Sequence, residues 1–250
     1  MEETVRLNKY LSDAGVCSRR EADRLIGEGK VLVDGRPAEM GMRVSPSQQI
    51  VCDGKRVCGK DRPVFLVVNK PRGIVCTTSD KDRAENIIEF LKYPQRVYPV
   101  GRLDKDSEGL LLLTNQGDVV NKILRAGNCH EKEYAVAVNR PVTDEFLEKM
   151  QKGVWLDDLA VQTKPCRAWK TGPHTFHIVL TQGLNRQIRR MCRALDFHVM
   201  NLKRVRIMNI KLGTLKRGEY RELTGEEMRG LMEMVKDSTN LPMAQAEKKR

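Results

Sequence analysis

The chain has 250 residues, and its 45 lysines and arginines exceed its 33 aspartates and glutamates to give a net charge of +12. That length holds one large domain or a small one plus a medium one, and the basic excess points to a polyanionic partner. No run approaches the ~18 consecutive apolar residues of a membrane span, and Met1–Arg6 has no basic segment leading into an apolar core, so a cytoplasmic protein without a secretory leader is expected.

The first sixty residues read as a unit of their own. Leu7, Tyr10, Leu11 and Ala14 recur at helical spacing until Gly15 breaks the pattern. Ser18-Arg19-Arg20-Glu21 has the form of a capping box, in which the serine holds the Glu21 amide and the glutamate reaches back. It opens a second helix carrying Ala22, Leu25 and Ile26, stopped by Gly27 and Gly29. Val31-Leu32-Val33 reads as a strand and Asp34-Gly35 as a tight turn. Arg19, Arg20 and Arg24 lie on the second helix. A linker rich in glycine, polar and charged residues is expected from Asp53 to Arg62.

Beyond it strands and helices intermix. Val64–Val68, Leu110–Leu113, Tyr134–Val138, Phe176–Thr181 and Val205–Ile210 read as strands. Helices are expected from Gly117-Asp118 to Ala126, from Thr143 to Met150, from Asn185 to Leu195, and from a capping box at Thr224 and Glu227 to about Val235. Strands outnumber helices without a βαβ alternation, which predicts an α+β domain over residues 61–236. The tail, 237–250, is polar and aperiodic and is expected to be disordered.

Charge is concentrated late in the chain. Between Arg186 and Arg217 lie ten basic residues and one acid, Asp196. In the helix expected there, Ile188, Met191, Cys192 and Leu195 form an apolar stripe, while Arg186, Arg189, Arg190 and Arg193 repeat on the other side. The low aromatic content, 5%, argues against binding through many stacked single-stranded bases. Seven cysteines without a C-x-x-C spacing read as reduced thiols. Cys129-His130 with His174 and His177 makes no zinc spacing, so no metal site is expected.

Asp104 stands in Gly101-Arg102-Leu103-Asp104, a charged, glycine-rich turn just before an apolar strand, where a scaffold positions catalytic groups. Read alone, it is equally a turn or N-cap aspartate. Two further motifs follow in the same chain: Lys132-Glu133-Tyr134, and Gly183-Leu184-Asn185-Arg186-Gln187-Ile188-Arg189.

In this order the three motifs resemble the active site of the pseudouridine synthases, in the RsuA branch that modifies ribosomal RNA. Residues 1–60 resemble the αL (S-four-like) RNA-binding module. The resemblance implies a catalytic domain with a mixed, mainly antiparallel sheet, and an isomerase that needs no cofactor. It makes Asp104 the essential carboxylate acting at the sugar, as nucleophile or as base. Arg189 becomes its ion-pair partner, and an arginine beside a carboxylate favours its charged form. Tyr134 becomes the residue that stacks on the base, and Arg102 the one that fills the gap left by the extruded nucleotide.

Arg19, Arg20, Arg24, Arg186, Arg190 and Arg193 are expected to contact RNA. For Arg186, Arg190 and Arg193 a solvated face fits the spacing as well. The tract from Asn121 to Tyr134 is most similar to the members that modify large-subunit (23S) ribosomal RNA. The implied partner is that RNA or an assembly intermediate, with the enzyme acting as a monomer. The rival readings are a non-catalytic ribosome-assembly factor, or a synthase acting on small-subunit or transfer RNA.

Overall fold

The computed structural model describes residues 4–59, 62–77, 85–124 and 128–238. They form two units, one of Met1–Val64 with Pro94–Arg96 and Asn115–Gly117, the other of the rest of the chain from Phe65.

In the first unit β1 (Val5–Arg6) leads into α1 (Leu7–Asp13), followed by α2 (Arg19–Gly27). Ser18 Oγ accepts the Glu21 amide at 3.1 Å and so caps α2. The Glu21 carboxylate does not complete the expected box. It pairs with Arg24 one turn on, where an exposed cation outcompetes a backbone amide. Next come β2 (Val31–Val33), β3 (Arg36–Pro37), β4 (Arg43–Val44), β5 (Ile50–Cys52) and β6 (Lys55–Arg56). Four of these strands make an antiparallel sheet in the order β3-β2-β5-β6, and β1 pairs with β4. Asp34-Gly35 and Asp53-Gly54 turn the two hairpins with positive φ at both residues, the geometry that suits strand twist. The second hairpin corrects the linker reading, since the chain from Asp53 to Arg56 belongs to the sheet. Leu7, Leu11, Ala22, Ile26, Val31 and Ile50 pack between helices and sheet.

The second unit starts with β7 (Phe65–Lys70), α3 (Ile87–Leu91), β8 (Tyr98–Val100) and β9 (Glu108–Thr114). Then come α4 (Gly117–Leu124), β10 (Lys132–Val138), α5 (Asp144–Lys152), β11 (Trp155–Leu156), β12 (Val161–Gln162), β13 (Arg167–Gly172) and β14 (Thr175–Leu180). The chain ends through α6 (Gln187–Ala194), β15 (Val199–Ile207), β16 (Ile210–Lys211), β17 (Tyr220–Glu222) and α7 (Gly225–Met234). The expected end of a helix at Ala126 and the tail after Ser238 lie outside the described residues. Thr224 and Glu227 do form the reciprocal capping box of α7.

Nine strands make one sheet in the order β13-β14-β10-β15-β9-β7-β17, with β8 on β9 and β16 on β15. The domain is α+β and its sheet is mainly antiparallel. The parallel pairing is β15 with β9, where Lys203 faces Glu108 and Arg204 faces Gly109. The strand expected over Val205–Ile210 is instead a hairpin, because Met208 takes φ 51° and reverses the chain.

Two apolar cores flank this junction. Val136, Phe146, Met150, Phe176, Ile178 and Met191 fill one, between β10, β14, α5 and α6. Phe65, Val67, Leu110, Leu112, Ile207 and Leu231 fill the other, below α7. Leu110 to Leu113 are all fully buried, so β9 is covered on both faces. Each such leucine contributes about 1.5–3 kcal/mol, which makes β9 a rigid base for the loop before it.

Candidate active site

The loop from Gly101 to Ser107 enters β9 and is held from below. Lys70, fully buried at the end of β7, donates Nζ to the carbonyls of Ser107 (2.8 Å) and Pro71 (2.9 Å). Burial pushes its pKa down. The Gly73 amide donates to the Lys105 carbonyl at 2.9 Å and the Ser107 amide to the Asp104 carbonyl at 3.0 Å, closing a turn around Asp104. Leu103 is buried. The fold therefore fixes the backbone on both sides of Asp104, while its side chain stays 31% exposed.

Asp104 opens into a cleft of about 330 Å³ bounded by this loop, β10, β15 and the start of α6. Tyr134 and Lys132, two apart on β10, share the face that lines it. Tyr134 is half-buried and sits opposite Arg204 on β15, which also lines the cleft. Gln187 closes the floor, its side-chain carbonyl accepting the Leu184 amide at 3.0 Å. The exposed Arg102 stands at the rim.

The four arginines around α6 divide in a way that periodicity does not show. Arg186 precedes the helix in a left-handed conformation, and its guanidinium lies 3.7 Å from the carboxylates of both Asp104 and Asp106. Arg189, the expected partner of Asp104, instead donates to the carbonyls of Asp106 (3.2 Å) and Val199 (3.3 Å). It braces the loop backbone, and Asp104 feels its charge without an ion pair. Arg190 pairs with Asp158 and donates to the Asn185 carbonyl at 2.8 Å. Arg193 is exposed and, among the described residues, has no ion pair.

In the first unit Arg24 is covered by Glu21 and Glu28, whereas Arg19 and Arg20 are exposed with no ion pair among the described residues.

This is a carboxylate at the mouth of a basic cleft, with an aromatic ring across from it. A family of RNA pseudouridylate synthases matches residues 64–194, and the S4 domain matches residues 5–50. A dual-specificity RNA pseudouridine synthase, RluF, of Escherichia coli O6:H1 is 48% identical over 99% of this chain and 86% of its own. The chain belongs to the RNA pseudouridylate synthase family.

The ribosomal large subunit pseudouridine synthase B of Bacillus subtilis is 37% identical to this synthase over 94% of this chain and 98% of its own. A crystal structure of a pseudouridylate synthase superimposes with a TM-score of 0.67 at 28% identity, covering 91% of this chain and 99% of that one. The synthase is thus an isomerase acting on RNA with an N-terminal S4 domain. Among the described residues, no helix is long and apolar enough to cross a membrane.

Sequence reasoning gave no role in this site to Lys70, Ser107, Arg204 or Lys132, although Lys132 stands in one of its three motifs. Lys132 was within reach, being two residues from Tyr134 and hence on the same face. Arg204 shares strand parity with the buried Leu202, a signal hidden by the many basic residues around it.

Proposed function

We propose that this synthase converts a uridine of large-subunit ribosomal RNA to pseudouridine in the cytoplasm, without a cofactor, and that Asp104 acts at the ribose. The observation that carries this reading is the placement of Asp104, on a backbone held by Lys70 and facing Tyr134 across the cleft. Uracil must leave C1′, turn, and rejoin through C5. A partly exposed carboxylate reaches the sugar, and the tyrosine ring retains the freed base by stacking. Arg186 and Arg189 hold positive charge around Asp104, Arg186 at its carboxylate and Arg189 through the loop.

The large-subunit target is supported by the B. subtilis relative, whose name states it. The dual specificity in the name of the E. coli relative supports a second RNA substrate for the same cleft. Arg102, Arg186 and Arg193, with Arg19 and Arg20 of the S4 domain, carry charge for RNA phosphates. Arg24 and Arg190 are occupied by acidic neighbours and contribute less.

Mapping pseudouridines in ribosomal RNA from cells with and without this gene tests the target. One large-subunit site should disappear and return with the wild-type gene but not with Asp104→Asn. An unchanged large-subunit map would overturn the assignment.

A further inference from the structure

Among the described residues three cations line the cleft with no acidic partner, the exposed Arg102 at the rim and two within it, Arg204 and Lys132. Arg204 is 3% exposed, and its Nε donates to the Leu110 carbonyl at 2.7 Å, but its Nη2 is buried without an acceptor. Lys132 donates to the His130 carbonyl at 3.1 Å. Neither makes an ion pair among the described residues. Beside them Ser107, 1% exposed, has a buried hydroxyl without a partner. Buried polar groups are nearly always satisfied, and buried charges nearly always paired. Asp104 is the one acidic residue lining the cleft, and Arg186 lies against it.

Position is as well defined as charge. Arg204 is the cross-strand neighbour of Tyr134 on one side and of Gly109 on the other. A Cβ at Gly109 would lie 2.3 Å from the Arg204 carbonyl, so the strands close up there and fix the Arg204 backbone. Lys132 stands two residues from Tyr134 on the same face. Arg204 and Lys132 therefore flank the ring proposed to stack on the base, and Ser107 lines the same cleft.

We propose that Arg204, Lys132 and Ser107 form the seat for the target uracil, binding its carbonyl oxygens and stabilising the negative charge that it gains on leaving the ribose. The inference rests on the reading of Asp104 as the group acting at the sugar. As an Asp104 carboxylate oxygen bonds C1′, the N1–C1′ bond breaks and its electron pair stays with N1, so the departing base is an anion with charge spread over N1, O2 and O4. Fixed donors aimed at that charge lower the barrier because they need no reorganisation. After the ring turns, C5 bonds to C1′ and Asp104 is released. The C5 proton is lost and N1 gains one, so the product is an isomer and nothing is consumed. Uracil offers acceptors at O2 and O4, where cytosine has an amino group at position 4, so a seat of donors also selects uridine. Burial and the nearby Arg204 push the Lys132 pKa down to about 8, as the absence of a counter-charge requires.

The test uses the full chain and a ribosomal RNA fragment bearing the target as uridine or 5-fluorouridine, with single-turnover cleavage and RNA affinity measured separately. Fluorine makes the base a better anion, so it lessens the need for the seat. Ser107→Ala and Lys132→Gln should each slow the uridine reaction by about tenfold or more, with RNA affinity within about twofold. The defect should shrink with 5-fluorouridine. Arg204→Lys keeps the charge and should lose less than Arg204→Met. If Arg204→Met does not fold, judged by circular dichroism, the other variants still decide. Wild-type rates, equal defects with both bases, or a loss confined to RNA affinity would each overturn the proposal, the last assigning the cations to phosphate. Asp104→Asn is run in parallel. If it is inactive while the seat variants are normal, only the seat is wrong; if it is active, the reading of Asp104 falls by itself.

Discussion

The Arg186 guanidinium lies 3.7 Å from the Asp104 carboxylate and equally far from that of Asp106. One cation is shared by two acids, on side chains that are 40%, 31% and 65% exposed. A pair so exposed is worth roughly 0–1 kcal/mol. Arg186 therefore keeps positive charge beside Asp104 yet gives way to an entering ribose at little cost. The firmer bonds go to the backbone of the loop, from Lys70 and Arg189, and they set where Asp104 stands.

Asp104→Asn should keep the fold and RNA affinity but abolish isomerisation, because an amide neither attacks C1′ nor takes a proton. Tritium release from C5-labelled uridine in RNA reads this directly. Residual activity within about tenfold of wild type, ~1.4 kcal/mol of barrier, would remove Asp104 from the mechanism.

Arg189→Ala should lower turnover more than RNA affinity, since it frees the loop carbonyl of Asp106 that Arg189 holds. Arg193→Ala should do the reverse, lowering affinity and reducing the slope of log affinity against log salt by roughly 0.7–0.9. The same loss of affinity in both variants, with turnover intact, would mean that Arg189 also serves only RNA.

The two exposed arginines of the S4 domain should differ from their neighbour on the same helix. Arg19→Ala and Arg20→Ala should each reduce the salt slope by roughly 0.7–0.9. Arg24→Ala should change it less, because Glu21 and Glu28 already neutralise that charge. Equal effects from all three would show that RNA displaces both glutamates.

Lys132 makes stability and activity move in opposite directions with pH. Its folded pKa is about 8, pushed down by burial and by Arg204, against ~10.4 in the unfolded chain. Below pH 8 both states are protonated and the burial penalty is fully present. Between pH 8 and ~10.4 the unfolded chain holds more protons, so this residue's contribution to stability rises with pH. Over the same range the seat loses a charge, and the single-turnover rate should fall. Arg204, Tyr134, Ser107 and His130, through both its carbonyl and its imidazole, are among the polar groups around Lys132. Lys132→Gln should flatten its part of both profiles, seen by thermal melts and rapid-quench rates. A rate profile identical in that variant would exclude Lys132 as the group responsible.

How far the sequence speaks depends on the kind of contact. Leu110 to Leu113 announce a buried strand because four successive apolar residues have few other fates, and Thr224 with Glu227 announce a helix start because the cap is local. The three motifs bring Asp104, Tyr134 and Arg186 to one cleft. Periodicity assigns Arg189 a face but not a reach, so its bond to the Asp106 carbonyl rather than to the Asp104 carboxylate was not legible. Met208 itself takes the left-handed backbone of the turn, a position methionine does not announce, and Asn209 beside it is the local turn signal. Arg204 looked like surface charge in a basic segment, and it is buried because two distant strands close over it.

That closure has a kinetic side. Gly109 and Arg204 meet although about 95 residues separate them, and long-range parallel pairing is slow to form. At roughly 5–20 residues per second, ribosomes take on the order of 5–20 s to make the intervening chain. Asp104 therefore emerges long before the strand that completes its cleft, while residues 4–59 can already be folded and holding RNA. A nascent chain arrested before Arg204 should grip RNA yet leave every uridine untouched.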